Sequence, residues 1–362
     1  MRVRSFGRLL VVAFAFICSN FLITSRLIAG PIGFAQINLT SDVSQDAPNL
    51  DPNLRNPWGM SFGPSTPFWV SNQVTGTASL IPASGAPLGL VVTIAGQFAL
   101  THGSPTGQVF VGGMGFNIAP GQAATFVFAT LEGTINAWNG GTSAAIVNPG
   151  TGAVYTGLAQ AGGRLYAADA RGHIDVYNQS FGQMPVSGNF VDPFVPSGFT
   201  PYNIQTIGGQ LYVEYAQRDM PGGYIGVFDL NGNFLRHISD AHLDEPWGIT
   251  LAPSGFGPFG GALLVGNEGN GMINAFDPTT GAFLGTLAGL DGLPIVNPGL
   301  WALAFRAPGS GFDPNALFFT AGINDEDDGL FGEIVVAAVP EPVTLGLVGA
   351  GLAVIVRSRR RA

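Results

Sequence analysis

The stretch from Glu245 to Leu287 constrains this chain more than any other. Pro246-Trp247-Gly248 opens a short apolar run, Ile249 to Leu251, and a Gly/Pro-rich turn leads to a second run, Ala262 to Val265. Asn267-Glu268-Gly269-Asn270-Gly271 is a cluster of turn formers. Met272 to Phe276 alternates in polarity, Asp277-Pro278 stops it, and Thr279-Thr280-Gly281 turns the chain into Ala282 to Leu287. Four short strands joined by turn residues make one small antiparallel sheet. Such a sheet cannot bury both faces alone, so it must stack on copies of itself.

The copies are present. Asn56-Pro57-Trp58-Gly59-Met60-Ser61-Phe62 matches Glu245 to Leu251, Phe68 to Asn72 matches Leu263 to Asn267, and Gly76 to Ile81 matches Gly271 to Phe276. A second unit shows Ala124 to Ala129 and Gly133 to Asn139 behind a Gly-rich region, Phe98 to Gln122, that contains an inserted loop. The third runs through Val154 to Leu158, Arg164 to Asp169 and Gly172 to Asn178. The fourth runs through Tyr202 to Ile207, Gln210 to Tyr215 and Gly223 to Asp229. The sixth runs through Leu300 to Phe305, Ala316 to Thr320 and Gly332 to Val336. Six such units predict an all-β fold, a closed six-bladed β-propeller over residues 36–338. The strand Gln36 to Thr40 would complete the last blade and remove the open edge.

Composition agrees: 54 glycines and 26 prolines punctuate a chain in which 46% of residues are hydrophobic and only 10% charged. There is no lysine. Four arginines precede Gln36 and four close the chain, so residues 36–338 hold six arginines against 22 acids and stand near −16 by formal count. A surface of that sign repels nucleic acid and anionic lipid. The one cysteine, Cys18, lies in the N-terminal apolar segment, which rules out a disulfide framework.

The ends predict export. Arg2, Arg4 and Arg8 followed by the apolar Leu9 to Ile23 and by Gly33-Phe34-Ala35 form a signal peptide over residues 1–35. At the other end, Val339-Pro340-Glu341-Pro342 precedes an apolar, Gly-rich helix from Val343 to Val356 and then Arg357-Ser358-Arg359-Arg360-Arg361. Arginines at that end stay cytoplasmic, which leaves the body outside the inner membrane.

This tail resembles the PEP-CTERM sorting signal of Gram-negative bacteria. The resemblance covers residues 339–362 and assigns the sorting motif to Pro340, Glu341, Pro342, Arg357, Arg359, Arg360 and Arg361. It implies export by the Sec translocon and anchoring in the inner membrane by the C-terminal transmembrane helix. Processing by an exosortase then leaves the protein at the cell surface or extracellular. Pro-x-Gly-Ile at Pro246 and Ile-x-x-Phe-Asp at Ile273 resemble NHL repeats. As a whole, residues 36–338 resemble an uncharacterised family of bacterial secreted NHL-like β-propellers. The resemblance rests on Asp51 to Leu54, Asn56 to Gly59, Phe68 to Asn72, Glu245 to Gly248 and Asp327 to Gly332. That family has no assigned activity.

Two sets of residues are candidate sites. Asn56, Glu245 and Asn297 each stand near the start of a Pro/Trp-type strand, and Asn203 follows Pro201-Tyr202. Convergent on the propeller axis, these four could hold Ca²⁺, as in calcium-dependent lactonases of similar architecture. The alternative metal set is the acidic turn Asp325, Asp327 and Asp328, whose hard oxygens suit Ca²⁺ but whose spacing fails the EF-hand pattern. No histidine pair has metal spacing, and His173 occupies a repeat position held elsewhere by Thr134 and Met272. The expected function is an exported envelope or matrix protein binding exopolysaccharide or surface proteins. The alternative is a Ca²⁺-dependent hydrolase or lyase.

Overall fold

A computed structural model of the chain describes residues 32–97, 102–150 and 152–338. The expected transmembrane helix and sorting motif, and residues 1–31 of the signal, lie outside that range. Among the described residues there is no α-helix, only one 3₁₀ turn at Gly257–Phe259, and so none long and apolar enough to cross a membrane.

The strands form meanders that follow the sequence repeats. The chain starts with β1 (Ile32–Ser41) and β2 (Asn49–Leu50). The first meander is β3 (Pro57–Ser61), β4 (Phe68–Asn72), β5 (Thr77–Ile81) and β6 (Val91–Ile94). The second is β7 (Pro105–Phe110), interrupted by the small hairpin β8 (Asn117–Ala119) and β9 (Gln122–Ala123), then β10 (Phe126–Thr130), β11 (Ile135–Trp138) and β12 (Ser143–Asn148). The third is β13 (Tyr155–Ala161), β14 (Arg164–Asp169) and β15 (His173–Tyr177). The fourth is β16 (Thr200–Ile207), β17 (Gln210–Gln217), β18 (Met220–Phe228) and β19 (Phe234–Ile238). The fifth is β20 (Pro246–Leu251), β21 (Leu263–Asn267), β22 (Ile273–Phe276) and β23 (Phe283–Thr286). The last is β24 (Leu300–Ala304), β25 (Leu317–Ala321) and β26 (Leu330–Ala338). A short parallel pairing of β6 with β12 joins the first two meanders at their outer edges into one eight-stranded sheet.

The first strands of the meanders, β3, β7, β13, β16, β20 and β24, lie side by side in cyclic order, with β24 returning to β3. The fold is therefore all-β and propeller-like. The N-terminal strand closes it: β1 runs antiparallel to β26 from Ile32 opposite Ala338 to Ser41 opposite Leu330. This pairing is the one expected for Gln36 to Thr40, but it starts four residues earlier. Phe34 is buried with Phe256, Leu264 and Phe319 and stacks on Phe259 at 5.9 Å.

Between meanders the core is apolar, and alternation along each second strand supplies it to both neighbours. Leu211, Val213 and Tyr215 of β17 face the third meander, while Tyr212 packs with Leu263 and Val265 of the fifth. The region Phe98 to Gln122 holds both the inner strand of the second meander, β7, and an insertion, which among the described residues is the β8–β9 hairpin. Pro105-Thr106-Gly107 has little strand propensity. It becomes a strand because β10 and the neighbouring inner strands flank it on both sides.

Candidate functional site

The six inner strands align residue by residue, and their layers explain what occupies the axis. The second position of β3, β7, β13, β20 and β24 is Trp58, Thr106, Thr156, Trp247 or Trp301, and Tyr202, third in β16, holds the equivalent place. Four of these aromatics meet as a plug: Trp58 stacks on Trp301 at 3.9 Å, Trp247 packs edge-on to both, and Tyr202 lies 6.0 Å from Trp301. Polar atoms of this layer bind neighbouring meanders, although Trp58 Nε1 is buried without a partner. Trp247 Nε1 donates to the Thr156 carbonyl at 3.2 Å, Trp301 Nε1 donates to Asn56 Oδ1 at 2.8 Å, and the Thr106 hydroxyl donates to the Tyr155 carbonyl at 2.7 Å.

The next layer is Gly59, Gly107, Gly157, Asn203, Gly248 and Ala302. Here adjacent inner strands come closest. A Cβ at Gly59 would overlap the Thr106 carbonyl, one at Gly107 would overlap the Leu158 amide, and one at Gly248 would overlap the Trp301 carbonyl. Where the fourth meander lacks the glycine, the Asn203 carboxamide sits against Gly157 and donates to the Trp247 carbonyl at 2.6 Å. Asn203 therefore staples three meanders together.

On one side of the plug is a mouth built by turns. In each of five meanders the carbonyl at the leading end of the inner strand accepts a hydrogen bond from the residue just after the second strand. Gln73 donates to Asn56, Leu131 to Ser104, Ala170 to Val154, Glu268 to Glu245 and Gly322 to Gly299. Asn56 and Glu245 both hold left-handed backbone, φ 44° and 49°, which turns the chain over the plug. Asn56 Nδ2 donates to Gln73 Oε1 at 3.1 Å and to Glu326 Oε2 at 2.8 Å. Arg218 reaches Glu326 at 3.8 Å. Glu245 and Glu268 are neighbouring carboxyl groups, and the charge of Glu245 favours a proton on Glu268. Burial, with the charges of Glu245 and Glu326 adding to it, pushes Glu268 up to about 8, and burial also raises Glu245. An oxygen-rich set of this kind can hold a shared proton or a hard cation.

On the other side of the plug is a chamber of about 290 Å³ lined by all six inner strands. Its lining carries no acid, no base and no histidine. The polar groups there are hydroxyls and carboxamides, among them Ser61, Gln108, Gln160, Gln205 and Thr250, and its rim holds Phe62, Phe110 and Phe305.

The expected sites are distributed as follows. Asn56 and Glu245 are at the mouth. Asn203 lines the chamber, with its amide nitrogen bound to the Trp247 carbonyl. Asn297 is paired reciprocally with Gln36 of β1, at 2.9 Å in both directions, so its carboxamide is committed to the closing strand. In the acidic turn, Asp328 accepts from Asn324 at 2.8 Å, the Asp327 carbonyl accepts from Arg55, and Asp325 and Glu326 adopt left-handed backbone. Among the described residues the one trio of close metal-type ligands is Asp169, His173 and Asp175. Arg171 already pairs there with Asp169 at 2.7 Å, which supplies the positive charge. Other meanders fill the same place with neutral groups, Thr130–Thr134–Asn136 and Asn72–Thr77–Ser79.

Two mouth residues, Glu268 and Glu326, are missing from the sequence candidates. The repeats contain the signal for the first: Glu268 aligns with Gln73 just as Glu245 aligns with Asn56. Glu326 sits within the acidic turn, and no local pattern separates it from Asp325 and Asp327.

No established family profile matches the chain. Among solved structures it is similar to the WD40 β-propeller domain of Doa1 (TM-score 0.49, 11% identity, 82% of this chain and 96% of that one). It is also similar to the Dos1 propeller (TM-score 0.46, 12% identity, 79% and 70%). Among curated proteins it is similar to "Uncharacterized protein R648" of Acanthamoeba polyphaga mimivirus, at 34% identity over 339 residues, covering 82% of this chain and 78% of that protein. "Uncharacterized protein L690" of the same virus is 32% identical over 335 residues, covering 80% and 82%. These relatives are viral, and the bacterial source suggested by the tail gains no support from them. On that identity and coverage, the chain belongs to the family of these uncharacterised mimivirus proteins.

Proposed function

We propose that this chain is a six-bladed propeller that acts as a binding protein at the cell envelope or in the extracellular matrix. In this proposal the chain is exported through the Sec translocon behind an N-terminal signal that ends before β1, whose first residues pair with β26 and bury Phe34. An exosortase sorts it at Pro340-Glu341-Pro342, after inner-membrane anchoring by the C-terminal helix. The cyclic order of the six inner strands supports the blade number. The binding role rests on one observation: the chamber is lined by every inner strand and by no titratable side chain. General acid–base chemistry needs a proton-transferring group within reach of the ligand, whereas recognition needs only shape and hydrogen-bonding groups. The test uses purified full chain. It should be retained on isolated envelope and extracellular polysaccharide while leaving a panel of lactones and esters intact. Turnover of a lactone or ester, lost on Glu245→Gln, would overturn the proposal.

A second reading, a Ca²⁺-dependent hydrolase, is favoured by the mouth. It keeps Asn56 and Glu245 from the expected set and adds Glu268 and Glu326 in place of Asn203 and Asn297. Calorimetric titration of Ca²⁺ into wild type and Glu245→Gln tests it. Tight binding lost in the variant supports this reading, and no binding removes it.

A further inference from the structure

We infer that the axial chamber is the site for a single uncharged sugar ring, the terminal residue of a neutral glycan. The inference rests on the proposed binding role and names the ligand class for that site.

The size comes first. A volume of about 290 Å³ lies at the bottom of the roughly 300–1,000 Å³ range of small-molecule sites. It suits one ring and not an extended chain. The plug of Trp58, Trp247 and Trp301 closes its inner end, so a glycan enters by its terminus.

The charge comes second. With no acid or base in the lining, a charged ligand would lose its hydration without gaining a counter-ion, a cost no neutral ligand bears. The nearest guanidinium, Arg306, follows the rim residue Phe305 in the chain but is buried. Its Nη2 donates to the Gly63 and Thr66 carbonyls, and its plane is caged by Phe62 at 4.2 Å and Phe312 at 4.4 Å. Its Nε and Nη1 are buried without a partner, but Arg306 does not line the chamber, so its charge makes no contact with a carboxylate or sulfate there. The acidic body repels such ligands at longer range as well.

The lining chemistry comes third. The side chains of Gln160, Gln205 and Thr250 make no hydrogen bond to protein among the described residues, while Gln108 is spent on the Gly59 and Trp69 carbonyls. A purely apolar ligand would strand these carboxamides and this hydroxyl. A pyranose satisfies them, because its hydroxyls both donate and accept. Its C–H faces can lie against rings that are held ready. Phe62 is edge-on to Phe68 at 5.1 Å, Phe110 to Phe126 at 5.3 Å, and Phe305 to Phe256 at 5.0 Å. Rings fixed before binding cost little ordering entropy when the ligand arrives.

The experiment is a glycan array followed by calorimetry with methyl glycosides of neutral hexoses and with the matching uronic acids, using the full chain. Gln205→Glu and Thr250→Val are the variants, and an unchanged thermal midpoint shows that they fold. Both positions are at least partly exposed. The expected result is binding of one or more neutral glycosides, at least tenfold weaker binding of the corresponding uronic acid, and a loss of at least tenfold in Gln205→Glu. Binding of acidic glycans in preference to neutral ones overturns the inference, as does neutral-sugar binding that both variants leave unchanged. If no sugar binds but the chain is still retained on isolated envelope, the ligand class is wrong and the binding role stands. If neither occurs, both fall.

Discussion

The two sides of the aromatic plug, turns over one end of the six inner strands and the faces of those strands beyond it, are chemically opposite. The mouth gathers Glu245, Glu268 and Glu326 with Asn56, Gln73 and Arg218. The chamber, a few residues further along each inner strand, holds no titratable group. The difference shows where such a fold can place charge. Inner strands pack so closely that their third position is glycine in four of six repeats. A desolvated charge there would have no room for a partner. The turns over the mouth have solvent on one side and can carry acids whose protonation adjusts to their neighbours.

Removing the divider is the strongest way to break this comparison. Trp58→Ala deletes the ring stacked on Trp301 and should cost about 3–5 kcal/mol, measured by chemical denaturation, and should join mouth and chamber. Next is the glycine layer. Gly107→Ala forces the β7 and β13 backbones apart and should cost about 2–3 kcal/mol, whereas Gly89→Ala, with open space around it, should change stability by less than ~0.5 kcal/mol. A chain beginning at Gln36 loses Phe34 from its cluster and should be about 2–4 kcal/mol less stable than one beginning at Pro31.

The mouth should respond to pH, and the chamber should not. Glu268, raised to about 8 chiefly by burial, holds a proton in the folded chain that it has lost in the unfolded chain once pH exceeds the ordinary carboxyl range. The contribution of Glu268 should therefore fall as pH rises from about 5 to about 8 and level off above that. Glu214 acts in the same direction. It is wholly buried on β17, neither carboxyl oxygen has a partner, and burial pushes it far up. Glu268→Gln should flatten part of the slope and raise stability at pH 8 by about 1–2 kcal/mol, read as a higher thermal midpoint. The smallest effect belongs to Thr250→Val at the chamber rim, which should leave stability within about 0.5 kcal/mol at every pH.

Much of the fold is legible in the sequence because each repeat carries its own punctuation. Pro-Trp-Gly at Pro57 and Pro246 marks an inner strand whose tryptophan plugs the axis and whose glycine admits the neighbour. Pro105-Thr106-Gly107 has the same grammar without the aromatic, and so does not announce its strand. The candidate site is legible only in part. Asn56 and Glu245 reach the mouth because a kinked residue leads each of those strands. Asn203 and Asn297 share the local pattern but are claimed by Trp247 and Gln36, partners 44 and 261 residues away. No short-range signal reveals such partners. The chamber has no local signature in the sequence. Its defining property is the absence of charge across six strands, which appears only when the repeats are laid side by side.

The most direct test of the division of labour compares retention on the envelope and extracellular polysaccharide of the producing cells for three full-length chains: wild type, Gln205→Glu and Glu268→Gln. A charge in the chamber should release the protein, with at least tenfold weaker retention, while replacing the mouth carboxyl should leave retention unchanged. Retention that survives Gln205→Glu but is lost in Glu268→Gln would contradict the account and move the function to the mouth.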